Sequence, residues 1–208
     1  MLPDTGFLKS TLGEPLGVDL HFNVTSGQGS AAALSLAERQ HYEAAENAVR
    51  ASSWLLGRAA LKSLRAEVDG CTDIDELRFP NARFSLTHSA DVALAVAEPS
   101  GCLEGIGVDL EVDAHIQPAA ARLFLTDREQ EWLRSQAPER WPYHLLRLWC
   151  IKEAVFKANP ENAGKTLADH ELAEPADPRG EARACTGQKM EYTSWCESRT
   201  CIALAVCR

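Results

Sequence analysis

Asp109 and Glu111 stand two residues apart in Ile106-Gly107-Val108-Asp109-Leu110-Glu111, a segment whose alternation and β-branching predict a strand. Side chains alternate across a strand, so both carboxylates emerge on one face while Val108 and Leu110 point into a core. Two carboxylates this close raise each other's pKa unless a cation neutralises them. Magnesium suits such a pair, because it prefers oxygen ligands and leaves positions open for phosphate oxygens and water. A lone D-x-E pair, however, is more often a solvated strand end. The helix predicted over Tyr143–Ala158 shifts that balance, because Trp149, Glu153 and Lys157 recur at i, i+4 and i+8 along one stripe, with Lys152 adjacent. Around them Ala154-Val155-Phe156 make the helix apolar nearly all round, and charges on a buried helix need partners. A third metal carboxylate at Glu153 and a phosphate-binding ammonium at Lys157 would meet that need. Thr87-His88-Ser89 adds an imidazole between hydroxyls, which alone reads as a hydrogen-bonded structural histidine.

Several elements must position these groups. A strand is expected at Leu16–Val24, and a helix beginning after Leu34 carries a capping-box pair, Ser35 and Glu38. A second helix follows from Arg50 to Val68. Strands are expected at Val92–Val96, Ile106–Glu111 and Cys201–Val206, and helices at Thr126–Ser135 and Tyr143–Ala158. The polar stretch from Asn159 to Gly187 reads as loop. A faint internal repeat runs through the chain: WLLGRAALKSL (54–64) aligns without gaps to WCIKEAVFKAN (149–159). LSLAERQHY (34–42) likewise resembles LFLTDREQEW (123–132), and VALAVA (92–97) answers IALAVC (202–207). The simplest architecture is α+β with two similar, pseudo-symmetric lobes, each a small antiparallel sheet packed with helices, and a site in the cleft between them. The lobes divide at 1–100 and 101–208. Chance similarity between Ala- and Leu-rich segments is the alternative.

Composition bounds the function. The 208 residues carry 30 acidic against 21 basic side chains, a net charge of -9, which opposes binding to a nucleic acid. No apolar run of transmembrane length occurs, and the N-terminus Met1-Leu2-Pro3-Asp4 lacks the pattern of a signal peptide, so no membrane partner and a cytoplasmic location are expected. The seven cysteines form no C-x-x-C pair and read as reduced, buried apolar thiols.

Taken in order, FSLTHS (84–89), GVDLE (107–111) and WCIKEAVFK (149–157) resemble the signature of the phosphopantetheinyl transferases, with 44 residues from Asp109 to Glu153. The two-lobe repeat is similar to the larger, monomeric class of that family. The resemblance implies transfer of the phosphopantetheine arm of coenzyme A to a serine of an apo acyl or peptidyl carrier protein. By position it implies magnesium, with manganese as a substitute, on Asp109, Glu111 and Glu153. Lys157 would contact the pyrophosphate and His88 the nucleotide's phosphates, with Ser89 beside it. Glu129 stands where the larger class has another acid near the metal, so Glu153 or Glu129 would accept the serine proton. The first lobe would contact the coenzyme's phosphates and nucleotide, and the second would hold the metal and dock the carrier.

The match departs at two places. Leu77–Arg83 lacks the family's Gly-Lys turn, leaving Arg78 or Arg83 as replacements. Ser53 stands where a basic residue reads the 3′-phosphate, leaving Arg50 and Arg58 as candidates. The second lobe's Arg122, Arg128, Arg134, Arg140 and Arg147, with Leu133 and Trp141, form either a docking face for an acidic carrier or an ordinary solvated face. Two other functions compete with the transferase: a catalytically silent coenzyme A-binding or scaffold relative, and a metal-dependent phosphohydrolase.

Overall fold

The computed structural model describes residues 3–44 and 47–208; Met1 and Leu2, the head of the stretch read for targeting, lie outside them. The fold is α+β. One antiparallel sheet contains β1 (His21–Ser26), β2 (Phe84–Ser89) and β3 (Val92–Ala97) in the order β1-β3-β2. The other contains β4 (Gly105–Glu111), β5 (His170–Leu172), β6 (Arg179–Ala184), β7 (Lys189–Glu197) and β8 (Thr200–Cys207) in the order β4-β8-β7-β6-β5. The helices are α1 (Thr5–Leu8), α2 (Leu36–Glu43), α3 (Ala48–Asp69), α4 (Ala121–Phe124), α5 (Asp127–Arg134) and α6 (Trp141–Ala158).

The side-chain alternation of two strands explains the layering. In β3 the larger Val92, Leu94 and Val96 join Ile106, Val108 and Leu110 of β4 in an apolar layer between the sheets. Its alanines, Ala93, Ala95 and Ala97, turn the other way, onto Leu56, Ala60, Leu61 and Leu64 of α3. In β8 Ile202, Leu204 and Val206 enter the same central layer, while Cys201, Ala203, Ala205 and Cys207 lie under α6. Small residues thus face the helices and large ones face the opposite sheet. Each buried Val, Leu or Ile contributes about 1.5–3 kcal/mol of transfer free energy. The two similar hexapeptides noted in the sequence are the middle strands that make this division, each with a paired strand on either side.

The repeat extends to the helix starts. Ser35 caps α2 and Thr126 caps α5 with a full capping box, using Glu38 and Glu129 as the third helical residue. Each of these glutamates then meets a lysine of the following long helix, Glu38 with Lys62 and Glu129 with Lys152. Residues 5–20 depart from the lobe division. Leu8, Leu12, Leu16 and Leu20 join the layer between the sheets, and Thr193 of β7 donates to the carbonyl of Leu12 at 2.9 Å. The expected strand at Leu16–Val24 begins later, at His21, after a short 3-10 turn over Glu14–Leu16.

Two expectations need correction. The stretch 159–187 contains β5 and β6, and β7 follows it, so the second sheet is wider than the sequence suggested. Cys196 and Cys201 oppose one another across the β7–β8 hairpin and are joined as a disulfide, rather than being separate reduced thiols. Antiparallel pairing brings their Cα atoms to 4.1 Å, which a reading without β7 could not anticipate.

His144 of α6 is 5% exposed, lies between the rings of Trp132 and Tyr143, and has no hydrogen-bond partner on either nitrogen. Burial, reinforced by the positive charges of Arg147 and Arg140, lowers its pKa from 6.5 to about 4. Between those values the unfolded chain binds the proton and the folded chain does not. This contribution to stability is therefore complete above pH 6.5 and is lost as the pH falls from there through 4, at no more than about 1.4 kcal/mol per pH unit. Denaturant midpoints measured from pH 7.5 to 5 should fall accordingly in the parent, and a His144→Leu variant should lose that part of the slope.

Candidate active site

The site forms where β4 lies against α6. Gly105 and Gly107 point toward the helix and have no side chain, so strand and helix backbones approach closely. The next two residues on that face are Asp109 and Glu111. Lys157 of α6 donates to Asp109 Oδ1 at 2.7 Å and to the carbonyl of Val108 at 3.1 Å. One end of the same helix face supplies Trp149, whose indole N–H donates to Glu111 Oε1 at 3.0 Å. Trp149 is itself held edge-on by Phe124 of α4, with ring centroids 5.2 Å apart.

Glu153 lies between Trp149 and Lys157 in the helical stripe and shares their electrostatic surroundings. Burial pushes its carboxyl pKa up; Lys157 pulls it back, while Asp109 and Glu111 push it further up. Glu111 is also raised, by burial first and Asp109 second. Burial opposes the charge of Lys157, but Asp109 and Glu153 outweigh it and hold the ammonium above its ordinary pKa. Beneath them, burial and the Asp109 charge push the Cys150 thiol well up, so it stays protonated and is no nucleophile.

The other strand of the site is β2. Its Ser89 donates to Glu111 Oε2 at 3.1 Å and its Thr87 to Asp109 Oδ1 at 3.1 Å. Asp109 Oδ2 is buried and has no partner. Among the described residues no three His, Cys, Asp or Glu side chains converge closely enough to enclose a metal ion. The carboxylates make an open set, two of them held by donors and one oxygen left unpaired. Such a set suits a hard cation that takes its remaining oxygens from water and substrate.

Hydrogen bonds bring Asp109, Glu111, Lys157 and Ser89 together, Glu153 shares their electrostatic surroundings from the α6 stripe, and His88 is exposed on the neighbouring strand. Arg50 is exposed in the first turn of α3 and does not line the cleft of about 400 Å³ that Ser52 and Ser53 of that helix form with Gly27, Gln28, Ala90 and Asp91. Arg58 lies elsewhere, stacked over Trp54 at 5.0 Å in a groove with Glu38, His41 and Arg78. Neither arginine offered in place of the missing lysine is unengaged. Arg78 donates to the carbonyls of Asp75 and Leu77, and Arg83 to Asp69 and to the Pro99 carbonyl. A cleft of about 550 Å³ between the start of α5 and strands β5 and β6 is lined by none of Asp109, Glu111, Glu153 and Lys157.

Glu129 is corrected. It is fully buried, accepts from the amides of Thr126 and Leu172, and takes both carboxylate oxygens to Lys152 at 2.8 and 3.0 Å. With its lone pairs occupied and no path to solvent it cannot receive a proton from a bound hydroxyl; it anchors β5 to α5 and α6. The docking face also changes. Arg147 is buried and donates to the carbonyls of Ala176 and Pro175, and Leu133 is buried at 3% exposure. Exposed instead is Leu123, at 67%, next to the exposed Arg122. The sequence reading missed Thr87 as a partner of Asp109 and the indole bond to Glu111. The available signal was the row of hydroxyls at 85, 87 and 89, which alternation puts on one face.

The 4'-phosphopantetheinyl transferase superfamily model matches residues 105–207, from the start of β4 to the end of β8. The 4'-phosphopantetheinyl transferase psf-1 of Bacillus pumilus is 31% identical over 80 residues, which is 38% of this chain and 33% of that relative. The alignment thus spans about a third of the relative's length. The crystal structure of Thermotoga maritima holo-acyl-carrier-protein synthase (AcpS) aligns over 51% of this chain and 64% of its own, with a TM-score of 0.42 and 18% identity. Residues 105–207, which carry Asp109, Glu111, Glu153 and Lys157, thus match the 4'-phosphopantetheinyl transferase superfamily over just under half of the chain.

Proposed function

We propose that the protein transfers the phosphopantetheine arm of coenzyme A to a serine of an apo acyl or peptidyl carrier protein, releasing adenosine 3',5'-bisphosphate, as a member of the larger, two-lobe class. The observation that carries this reading is the buried, unpartnered Oδ2 of Asp109 beside two carboxylates whose pKa values are raised. An unpaired buried oxygen costs about 1–3 kcal/mol and is relieved by a cation. The donor set fits magnesium, or manganese in its place, on Asp109, Glu111 and Glu153. Bound there, the ion would supply charge neutralisation to the pyrophosphate of coenzyme A.

The protein's own groups then have distinct tasks. Lys157 sets a second positive charge beside the same phosphates. His88 and Ser89 border the coenzyme on the side of the first lobe, and Arg50, exposed on the same helix as Ser53, is the contact for the remaining phosphate. Arg58, turned onto Trp54, is the weaker candidate. The serine oxygen attacks the β-phosphorus, the bond from that phosphorus to the bridging pyrophosphate oxygen breaks, and the serine proton passes to Glu153. Alignment and charge stabilisation do most of the work. Residues 1–100 contribute mainly to coenzyme contacts and 101–208 to the metal and the carrier. Arg122 and Leu123, one residue from the Phe124 that braces Trp149, form the carrier's landing point. The reading takes the chain as a cytoplasmic monomer with no nucleic-acid or membrane partner; no helix among the described residues is long and apolar enough to cross a membrane.

The test is a mass spectrum of an apo carrier protein after incubation with this protein, coenzyme A and magnesium. A gain of one phosphopantetheine, abolished by chelator and by Glu153→Ala, is expected. Coenzyme A binding with no gain on carriers from several pathways would favour the silent relative, for which the occupied Arg78 and Arg83 already speak. Phosphate release without a carrier would favour a hydrolase.

A further inference from the structure

Between the two sheets, β2 and β4 run side by side without a backbone ladder over their length. The amide of Ile106 donates to the carbonyl of Asn81 at 3.1 Å, and from there hydroxyls take over. Val108 donates to Ser85 Oγ at 3.0 Å, Leu110 to Thr87 Oγ1 at 3.3 Å and Val112 to Ser89 Oγ at 3.0 Å. The three pairs keep a constant separation of 23 residues, so side-chain hydroxyls replace the carbonyls that a partner strand would offer. Val108 and Leu110 are buried, and their amides would otherwise have no acceptor there.

Two of these hydroxyls do a second job. A hydroxyl that accepts from a backbone N–H has its own proton to give, and it gives it to what lies in front of it. For Thr87 that is Asp109 Oδ1, and for Ser89 it is Glu111 Oε2, each at 3.1 Å. Lys157 also takes Oδ1, so Asp109 is held by one oxygen with the other left unpartnered. Ser85 accepts from Val108 in the same way but hydrogen-bonds neither carboxylate, whose partners are Thr87, Ser89, Lys157 and Trp149.

We propose that Thr87 and Ser89 are positioning residues: reaching across from the first sheet, each hydroxyl fixes the strand of the second and aims its carboxylate at the metal. The inference rests on Asp109 and Glu111 being metal ligands. It makes the ion's affinity depend on how the two sheets are joined, because the groups that orient the ligands belong to the other sheet. Ser85 provides an internal control, having the backbone role alone.

The experiment titrates Mn2+ into the full chain with coenzyme A present, following free Mn2+ by electron paramagnetic resonance, and records thermal midpoints in parallel. Partners that orient metal ligands typically change affinity 10–100-fold, so Thr87→Val should raise the Mn2+ dissociation constant about tenfold, Thr87→Ser should restore it to within about twofold, and Ser85→Ala should lower the thermal midpoint with that constant unchanged. Ser89→Ala should behave like Thr87→Val. If Thr87→Val and Ser85→Ala lower the midpoint alike and neither changes Mn2+ binding, the hydroxyls are only a seam and the proposal is overturned. If the parent shows no Mn2+ binding that Asp109→Asn abolishes, the metal reading itself fails and takes the proposal with it. Parent binding that is lost in Asp109→Asn but untouched in Thr87→Val overturns the positioning role alone.

Discussion

Replacing Asp109 by Asn should reduce the proposed phosphopantetheinyl transfer about 10³-fold, or about 4 kcal/mol of transition-state stabilisation, while the protein still folds. The substitution keeps the shape of the side chain and removes one negative charge. Its Oδ1 position can still accept from Thr87 and Lys157, whose donors lie at 3.1 and 2.7 Å. The unpartnered Oδ2 position would become an NH2 group, which presents protons where the proposed cation would sit. Metal binding should therefore fail locally. Lys157 loses its ion pair, but its side chain is 28% exposed and keeps the Val108 carbonyl, so the cost to stability should be about 1–2 kcal/mol, below that of breaking a fully buried pair. The measurement pairs initial transfer rates over a range of magnesium with a thermal midpoint. A rate within tenfold of the parent would show that Asp109 serves Lys157 and nothing else.

What the sequence disclosed divides along the distance between partners. The capping box at Ser35, the long helices, and the shared face of Asp109 and Glu111 are set by residues within a turn or two, and all are present. Val92–Ala97 and Thr200–Cys207 were readable because fully buried strands are apolar on both faces. Strand β2 was harder, since Ser85, Thr87 and Ser89 resemble a polar loop until β4 is known to take their hydroxyls. Strands β5 and β6 lie at the outer side of the second sheet and carry exposed charges such as Arg179, Glu181 and Arg183, so their composition reads as loop. Glu129 illustrates the reverse error. An acid near a motif suggested chemistry, but Lys152, on the turn of α6 that the stripe of 149, 153 and 157 leaves out, had the first claim on it. Lobe membership failed at residues 5–20 for the same reason: leucines at 8, 12, 16 and 20 announce burial but not which sheet they cover.

Gly107→Ala should damage the fold more than any substitution of a charged residue in the site, with a stability loss of at least about 3 kcal/mol and a thermal midpoint lower by roughly 6–12 °C. A Cβ at Gly107 would stand 1.9 Å from the Ala154 carbonyl oxygen and 2.6 Å from the Ala158 nitrogen; one at Gly105 would stand 2.0 Å from the Ala158 oxygen. These are backbone atoms of a helix whose own hydrogen bonds fix them, so no rotamer can move aside. Strand or helix would have to shift as a body, against a core of fully buried residues on both sides, including Val108, Ile151 and Val155. The same contact sets the active-site geometry. Along the α6-facing side of β4 the order is Gly105, Gly107, Asp109, Glu111, and the helix answers with Ala158, Ala154, Lys157 and Trp149. Glycine where the backbones touch brings the next two residues close enough for their carboxylates to share partners with the helix. The folded fraction of Gly107→Ala should accordingly need more magnesium for transfer, because parting strand from helix moves Asp109 and Glu111 away from Glu153. A midpoint within a few degrees of the parent's, with normal magnesium dependence, would show that the strand and helix can separate freely and that the spacing of the acids is set elsewhere.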